Sequence, residues 1–339
     1  VHQKLLLQNN CCFEIIPGEM EIPFNLSRIE ESLTSHHREL VFLTPATTPA
    51  TLLHALSEHL PHIAPQAWPA LIARGGVYLN GICSTTDRPL PSPCRIEFFE
   101  PKGEDLPEIS AFTERIKDFI VYEDDELLIV YKPQGISSMP TREQRELNLK
   151  GFLEKYLRET APEASLHMPS RVDTSVEGLV VTSKAARMHA PLQRVFEKRR
   201  VQKTYLLETR AAVSWETLSA DRAIARDARH PILRKAVATG GRPAHTEFKV
   251  LQRIQESESG PERVIAEARP VTGRTHQIRV HASSYEFPIT GDNFYNGAPS
   301  DRLHLVSYQT EFVHPHRHVA LKIVAPERLL PKWLTSAKL

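Results

Sequence analysis

Two β-rich arms, Phe119-Ile120-Val121-Tyr122 and residues 127–131, flank the tetrapeptide Glu123-Asp124-Asp125-Glu126. β-branched and aromatic residues favour extended backbone, and four consecutive charges suit a solvated turn, so the segment reads as a β-hairpin. Antiparallel pairing thus opens the main body of the chain. Further strands are expected at 178–182, 205–209, 246–251, 264–268 and 319–324, with helices at 149–158 and 185–199. In the second helix Ala185, Met188, Leu192, Val195 and Phe196 share one apolar stripe, and Pro191 is expected to restart or kink it. Strands and helices follow no regular βαβ rhythm. The expected class is therefore α+β, a central mixed or antiparallel sheet with flanking helices.

A smaller unit precedes this body. Residues 1–40 lack a period and read as an irregular extension. From 41 to 100, Leu52, Leu53, Leu56 and Leu60 have helical spacing, residues 68–73 offer a second short helix, and Asn80-Gly81 signals a hairpin before a strand at 95–99. Residues 101–118 read as an acidic, Pro-containing linker, and 119–339 as the main domain. The 339 residues suffice for two unequal cores.

Several function classes drop out. No apolar run approaches the roughly 18 residues that cross a bilayer, and the Lys4-Leu5-Leu6-Leu7 start is too short for a signal core. Cysteines 11, 12, 83 and 94 form no C-x-x-C and sit beside no histidine pair, so reduced thiols, a cytoplasmic setting and no structural metal are expected. There is no phosphate-binding P-loop, no G-x-G-x-x-G, no G-x-S-x-G and no H-E-x-x-H.

Three clusters remain. Residues 170–178 read Ser-Arg-Val-Asp-Thr-Ser-Val-Glu-Gly and lead into an apolar strand, which would hold Asp173 on a rigid element yet within reach of solvent; a turn-capping Asp is the bland alternative. Lys203-Thr204-Tyr205 starts a strand whose tyrosine could be plain core. Residues 272–281, Thr-Gly-Arg-Thr-His-Gln-Ile-Arg-Val-His, enter a polar segment that alone suggests an anion site or a solvated helix start.

In order and wording these clusters resemble the RluA family of pseudouridine synthases, which isomerise uridine in ribosomal or transfer RNA. Arg171, Asp173 and Gly178 fall in register with that family's H-R-L-D-x-x-T-S-G, Lys203 and Tyr205 with its K-x-Y, and residues 272–281 match its T-G-R-T-H-Q-I-R-V-H without a gap. Lys132-Pro133-x-Gly135, the P-I-x-G-D-x-x-Y run ending at Tyr295, Leu303-His304 and His314-Pro315 also fit. The resemblance covers residues 119–325. Ser170 replaces the motif's His, and Val176-Glu177 its Thr-Ser; Glu177 would add a carboxylate whose like charge raises the Asp173 pKa. Residues 41–100 resemble the S4-type RNA-binding fold through G-x-V-x-x-N-G at 75–81, although only Arg74, Arg88 and Arg95 make its basic face.

The resemblance implies Asp173 as the catalytic carboxylate, acting as nucleophile or as base at the ribose 2′ position. It implies Arg279 as its ion-pair partner and Tyr205 as a stacking platform that assists deprotonation of the base. The target uridine would be flipped into the cleft. No cofactor or metal enters, RNA is the partner, and a monomer suffices. Arg171, Lys203, Arg274 and His276 would contact the RNA. Seven basic residues from Lys184 to Lys203 oppose Glu197 alone, a local +6 inside a chain of net charge +1, so Arg187, Arg194 and Lys198 are expected to form a phosphate track. Arg226, Arg229, Arg234, Lys235 and Arg242 make a second basic patch. Residues 100–126 carry ten acids against three bases, a local −7. Two rival readings stand beside this one: a catalytically silent RNA-binding or assembly factor on the same fold, and a metal-dependent enzyme using His314, His316 and His318 on one face of a strand.

Overall fold

The computed structural model describes residues 37–99, 107–141, 147–227, 232–255 and 262–336. The expected extension up to residue 36, Cys11, Cys12 and Arg229 lie outside them, as does the side chain of Arg74.

The first unit runs β1 (His37–Phe42), α1 (Leu52–His59), α2 (Trp68–Arg74), β2 (Val77–Leu79), β3 (Ile82–Ser84) and β4 (Cys94–Phe99). Its antiparallel sheet has the order β1-β4-β2-β3 and fits an S4-like unit. Leu52, Leu56, Trp68, Ile72, Val77, Ile96 and Phe98 form its core. β1 begins at residue 37, inside the segment expected to be irregular. Cys83 and Cys94 are free thiols.

The expected linker contains a helix, α3 (Pro107–Glu114), whose Phe112 is buried against Phe119 and Phe152. Acidic composition hid this one apolar anchor. Then follow β5 (Ile120–Glu123), β6 (Leu127–Lys132), α4 (Leu149–Thr160), β7 (Glu177–Ser183) and α5 (Ala186–Glu197). After these come β8 (Gln202–Thr209), β9 (Thr217–Ala220), β10 (Ala223–Arg226), β11 (Arg234–Val237), β12 (Thr246–Gln255) and β13 (Glu262–Pro270). The chain continues through α6 (Gln277–Ser284), β14 (Leu305–Val313), β15 (Ala320–Val324) and α7 (Lys332–Thr335). The large sheet is ordered β5-β6-β7-β14-β8-β13-β12-β9, with β15 on β14. It is mixed: β7 and β14 pair in parallel and the other neighbours antiparallel.

Both faces of this sheet are covered. On β6, Leu128 and Val130 pack with α4 and with Ile278 and Ala282 of α6, whereas Leu127, Ile129 and Tyr131 pack with Met188 and Leu192 of α5 and with Trp333. Alternation along a strand sends successive side chains to opposite faces, so burial of both makes β6 apolar throughout. α5 runs from Ala186 to Glu197 with Pro191 inside it, so the helix does not restart there.

Residues 314–319 form a turn between β14 and β15, correcting the expected strand face. His314 is buried with Nε2 3.4 Å from Asp124, and His316 Nδ1 is 2.9 Å from Glu126. These histidines clamp the acidic hairpin turn, and Arg317 also pairs with Asp124. Among the described residues no cluster of His, Cys, Asp or Glu is arranged to hold a metal. No described helix is long and apolar enough to cross a membrane.

Candidate active site

Asp173 sits on the loop that enters β7, and two neighbouring segments clamp that loop. Ser138 Oγ donates to the Val172 carbonyl (2.7 Å) and accepts from the Val172 N–H (3.1 Å). The Gly135 N–H reaches the Thr174 carbonyl at 2.9 Å. Below them Lys132 is fully buried, its Nζ donating to the carbonyls of Pro133 (2.8 Å) and Ile136 (2.7 Å), with Thr174 at 3.4 Å. Burial drags this ammonium down to about 7, although Glu177 and Asp173 oppose that shift. The K-P-x-G segment is thus a brace that seats the Asp173 loop. Gly178, at φ +116, allows β7 to meet β14, since a Cβ there would overlap the Ser307 backbone.

The second wall is built around one amide. The Gln277 side chain accepts from Thr272 Oγ1 (2.6 Å) and the Arg274 N–H (3.0 Å), and donates to the His245 carbonyl and Thr246 Oγ1 (both 2.9 Å). Every polar valence of the amide is used, so the 272–277 loop closes into one shape. Of the two readings of this segment taken alone, an anion site or a solvated helix start, the second does not hold: all eight residues of α6 are buried. Arg279 therefore projects from a core helix, only 4% exposed.

Arg279 is held mainly by Asp292 rather than by Asp173. Its Nε and Nη2 each donate to the Asp292 carboxylate at 2.7 Å, while Nη1 lies 3.5 Å from Asp173 Oδ2. The guanidinium stacks 5.1 Å from the ring centres of both Phe294 and Tyr295. A planar fork with two carboxylates in reach gives its bidentate side to the buried one and keeps a single N–H for the cleft. Sequence reading placed Asp292 inside a motif but gave it no role. The usable signal was Gly291-Asp292: Gly291 has φ +77, and a Cβ there would overlap the Arg302 carbonyl.

A cleft of about 230 Å³ opens between the two walls, lined by Arg171, Asp173, Lys203, Tyr205, Arg274, His276 and Arg279, together with Phe196, Arg199 and Leu305. The three residues expected to be catalytic meet there, as do four of those expected to contact RNA. Asp173 is 27% exposed into the cleft. Burial, reinforced by the Asp173 charge, pushes the Tyr205 phenol up to about 12 against the opposing Ser307 hydrogen bond, so it stays protonated and serves as a wall. His276 is buried, and burial takes its imidazole down to about 4. It faces the Asp173 loop from the cleft wall. Lys203 lies 5.1 Å from the Phe196 ring centre, and burial pulls its ammonium down to about 8.

Glu177 stands apart from Asp173. Tyr131 Oη donates to it at 3.1 Å and Arg302 lies 3.7 Å away, so the extra carboxylate has its own partners. The basic helix divides in two. Arg187 is tied to Glu126, and Lys184 to Glu123 at 2.6 Å, whereas Arg194 and Lys198 are exposed and lie outside the cleft lining. Past the helix end, Arg199 takes a left-handed backbone (φ 53) and lines the cleft mouth. Arg274 Nε donates to the Pro243 carbonyl, beside exposed Arg242. Burial and the like charges of Arg242 and Arg199 lower the Arg274 pKa. Arg171, Arg199, Lys203, Arg242 and Arg274 have no carboxylate partner among the described residues.

Comparison with known proteins places the fold and this cleft in context. Residues 126–284 match the family model described as RNA pseudouridylate synthase. The chain is 33% identical over 219 residues to the dual-specificity RNA pseudouridine synthase RluA of Vibrio parahaemolyticus, covering 63% of this chain and 84% of that protein. It is 30% identical over 250 residues to ribosomal large subunit pseudouridine synthase C of Vibrio vulnificus, covering 69% of this chain and 73% of the relative. The solved structure of human RNA pseudouridylate synthase domain containing 4 superposes with a TM-score of 0.54 at 20% identity, over 68% of this chain and 95% of the other.

Proposed function

The chain belongs to the RluA family of RNA pseudouridine synthases, and from that premise we propose that its cleft isomerises uridine in ribosomal or transfer RNA with Asp173 as the catalytic carboxylate. One observation carries the assignment of Asp173: it is the carboxylate lining the cleft, and an arginine N–H points at it from a guanidinium whose other side is already neutralised. An ionised carboxylate so placed can attack the ribose or the base, or take the 2′ proton, as the glycosidic C–N bond breaks and the base rejoins through carbon 5. Arg279 orients that carboxylate through its remaining N–H. Tyr205 gives the base a flat wall to stack on, its protonated phenol a hydrogen-bond donor in place of the base first expected. The target lies in a stacked strand, so the nucleotide must be flipped to enter.

Arg171, Arg199, Lys203, Arg242 and Arg274 would take the backbone phosphates beside the flipped nucleotide, with Arg194 and Lys198 continuing the track outward. Each single-strand phosphate contact contributes about −0.7 to the slope of log affinity against log salt. Replacing Arg199 or Arg274 by Ala should therefore flatten the slope by about that amount each. Replacing Arg187, already committed to Glu126, should leave it unchanged. Equal effects at all three positions would refute the division.

The reading is tested on unmodified ribosomal and transfer RNA transcripts by scoring pseudouridine after incubation with the protein. Product in either pool supports it. RNA binding without product in any pool would favour the catalytically silent alternative.

A further inference from the structure

We infer that His276 is a positioning residue, held as a neutral imidazole with its proton on Nε2, which together with Arg279 fixes one oxygen of Asp173 and leaves the other for the substrate. The inference rests on Asp173 being the catalytic carboxylate and adds a second group that sets its orientation.

The tautomer follows from a chain of donors. The backbone N–H of Arg234, on β11, points at Tyr295 Oη at 3.1 Å. A hydroxyl that accepts there sends its own proton onward, and His276 Nδ1 lies 2.7 Å from the same oxygen. Nδ1 is then a lone-pair acceptor, so the ring proton of a neutral imidazole sits on Nε2. Nε2 lies 3.8 Å from Asp173 Oδ2, the oxygen that Arg279 Nη1 approaches at 3.5 Å. Two donors from one loop-helix junction thus converge on Oδ2. Neither contact is yet a full hydrogen bond, as is usual for catalytic groups before substrate closes the site.

The surroundings favour the neutral form. His276 sits among Asp173, Asp292, Arg279 and Arg234, with Tyr295 and Phe294 packed on its ring. Burial is the largest influence and disfavours the charged ring; Asp173 and Asp292 oppose it, while Arg279 and Arg234 act in the same direction as burial. An imidazolium would place a second cation beside Arg279 and compete for the Asp173 charge that the reaction needs. A neutral N–H orients the carboxylate without quenching it. The left-handed backbone of His276 (φ 56), directly before α6, is a conformation that a β-branched residue would resist.

The test is nitrogen-15 NMR of the full chain labelled at histidine, with the His276 signals assigned by their loss in His276→Gln. The expected result is a neutral ring protonated at Nε2 that does not titrate between about pH 8 and about pH 5, where an ordinary histidine (pKa about 6.5) would. Tyr295→Phe keeps the ring and removes the oxygen that donates to Nδ1 and accepts from the Arg234 N–H. It should mix the tautomers and lower kcat roughly ten- to a hundredfold, with KM little changed. His276→Gln, which keeps an N–H donor, should retain more activity than His276→Leu. A wild-type ring protonated at Nδ1, or charged at pH 7, overturns the inference, as does a Tyr295→Phe enzyme with shifted tautomers and wild-type kcat. Wild-type protein with the expected ring signals but no product on any transcript would instead defeat the assignment of Asp173.

Discussion

Asp173→Asn is expected to reduce pseudouridine formation about ten-thousandfold, which corresponds to roughly 5 kcal/mol of transition-state stabilisation. The change preserves volume and planarity but removes the charge and the nucleophilic or basic lone pair that every route to a broken glycosidic bond requires. The fold should survive it. Asp173 is 27% exposed, and its arginine neighbour is anchored at 2.7 Å by Asp292, so no buried charge is orphaned. RNA affinity should stay equal or rise slightly, because one negative charge leaves a cleft that receives a polyanion. Single-turnover assays on unmodified transcripts, with binding measured in parallel, give both numbers. A variant that forms product at the wild-type rate would remove Asp173 from the chemistry.

The second large effect belongs to a residue that never needs to touch substrate. Asp292→Ala should destabilise the protein by about 3–5 kcal/mol, since it strands a guanidinium that is 4% exposed. For a domain of this size that is a fall of roughly 10 °C in Tm. Activity should be lost as well, because Arg279 freed from its fork would turn fully onto Asp173 and fill the approach to it. A companion variant separates the two effects. Asp292→Ala combined with Arg279→Met removes both charges, and replacing a buried pair by apolar groups is often close to neutral. The double variant should recover much of the Tm and none of the catalysis. Calorimetry showing no recovery would mean that Asp292 stabilises through its contact with the Phe294 N–H, at 3.1 Å, more than through Arg279.

Different parts of the molecule were legible from the sequence to different degrees. The hairpin at β5 and β6, the helices α1, α2, α4 and α5, and the strands β7, β8, β12, β13 and β15 followed from short-range pattern, with ends moved by a few residues. β14 was missed: Leu305–Val313 is fully buried at its start and then mixes buried, half-buried and exposed positions, so no single period runs through it. β9, β10 and β11 were missed as well, being four-residue strands with too few turns of pattern to register. α6 was misjudged, since Gln277, Arg279 and His281 look solvent-facing yet each finds its partners inside the protein. For the same reason the +6 of the basic helix overstated its free charge. Lys184 and Arg187 are spent on Glu123 and Glu126, acids some sixty residues away in the chain.

Sequence alone determined the chemistry on offer: an Asp on a loop before a buried strand, a Tyr at the start of another, and a ten-residue motif with two Arg and two His that resembles one family's. Backbone propensity and side-chain type act over a few residues, so they survive in a linear pattern. Tertiary structure decided which charges remain available. Pairing depends on contacts between segments far apart in the chain, and burial makes those contacts strong enough to redirect a side chain. Arg279 is shared with Asp292, Arg187 is withdrawn by Glu126, and His276 faces Asp173 from inside the wall. The cleft retains the cations that no carboxylate claimed.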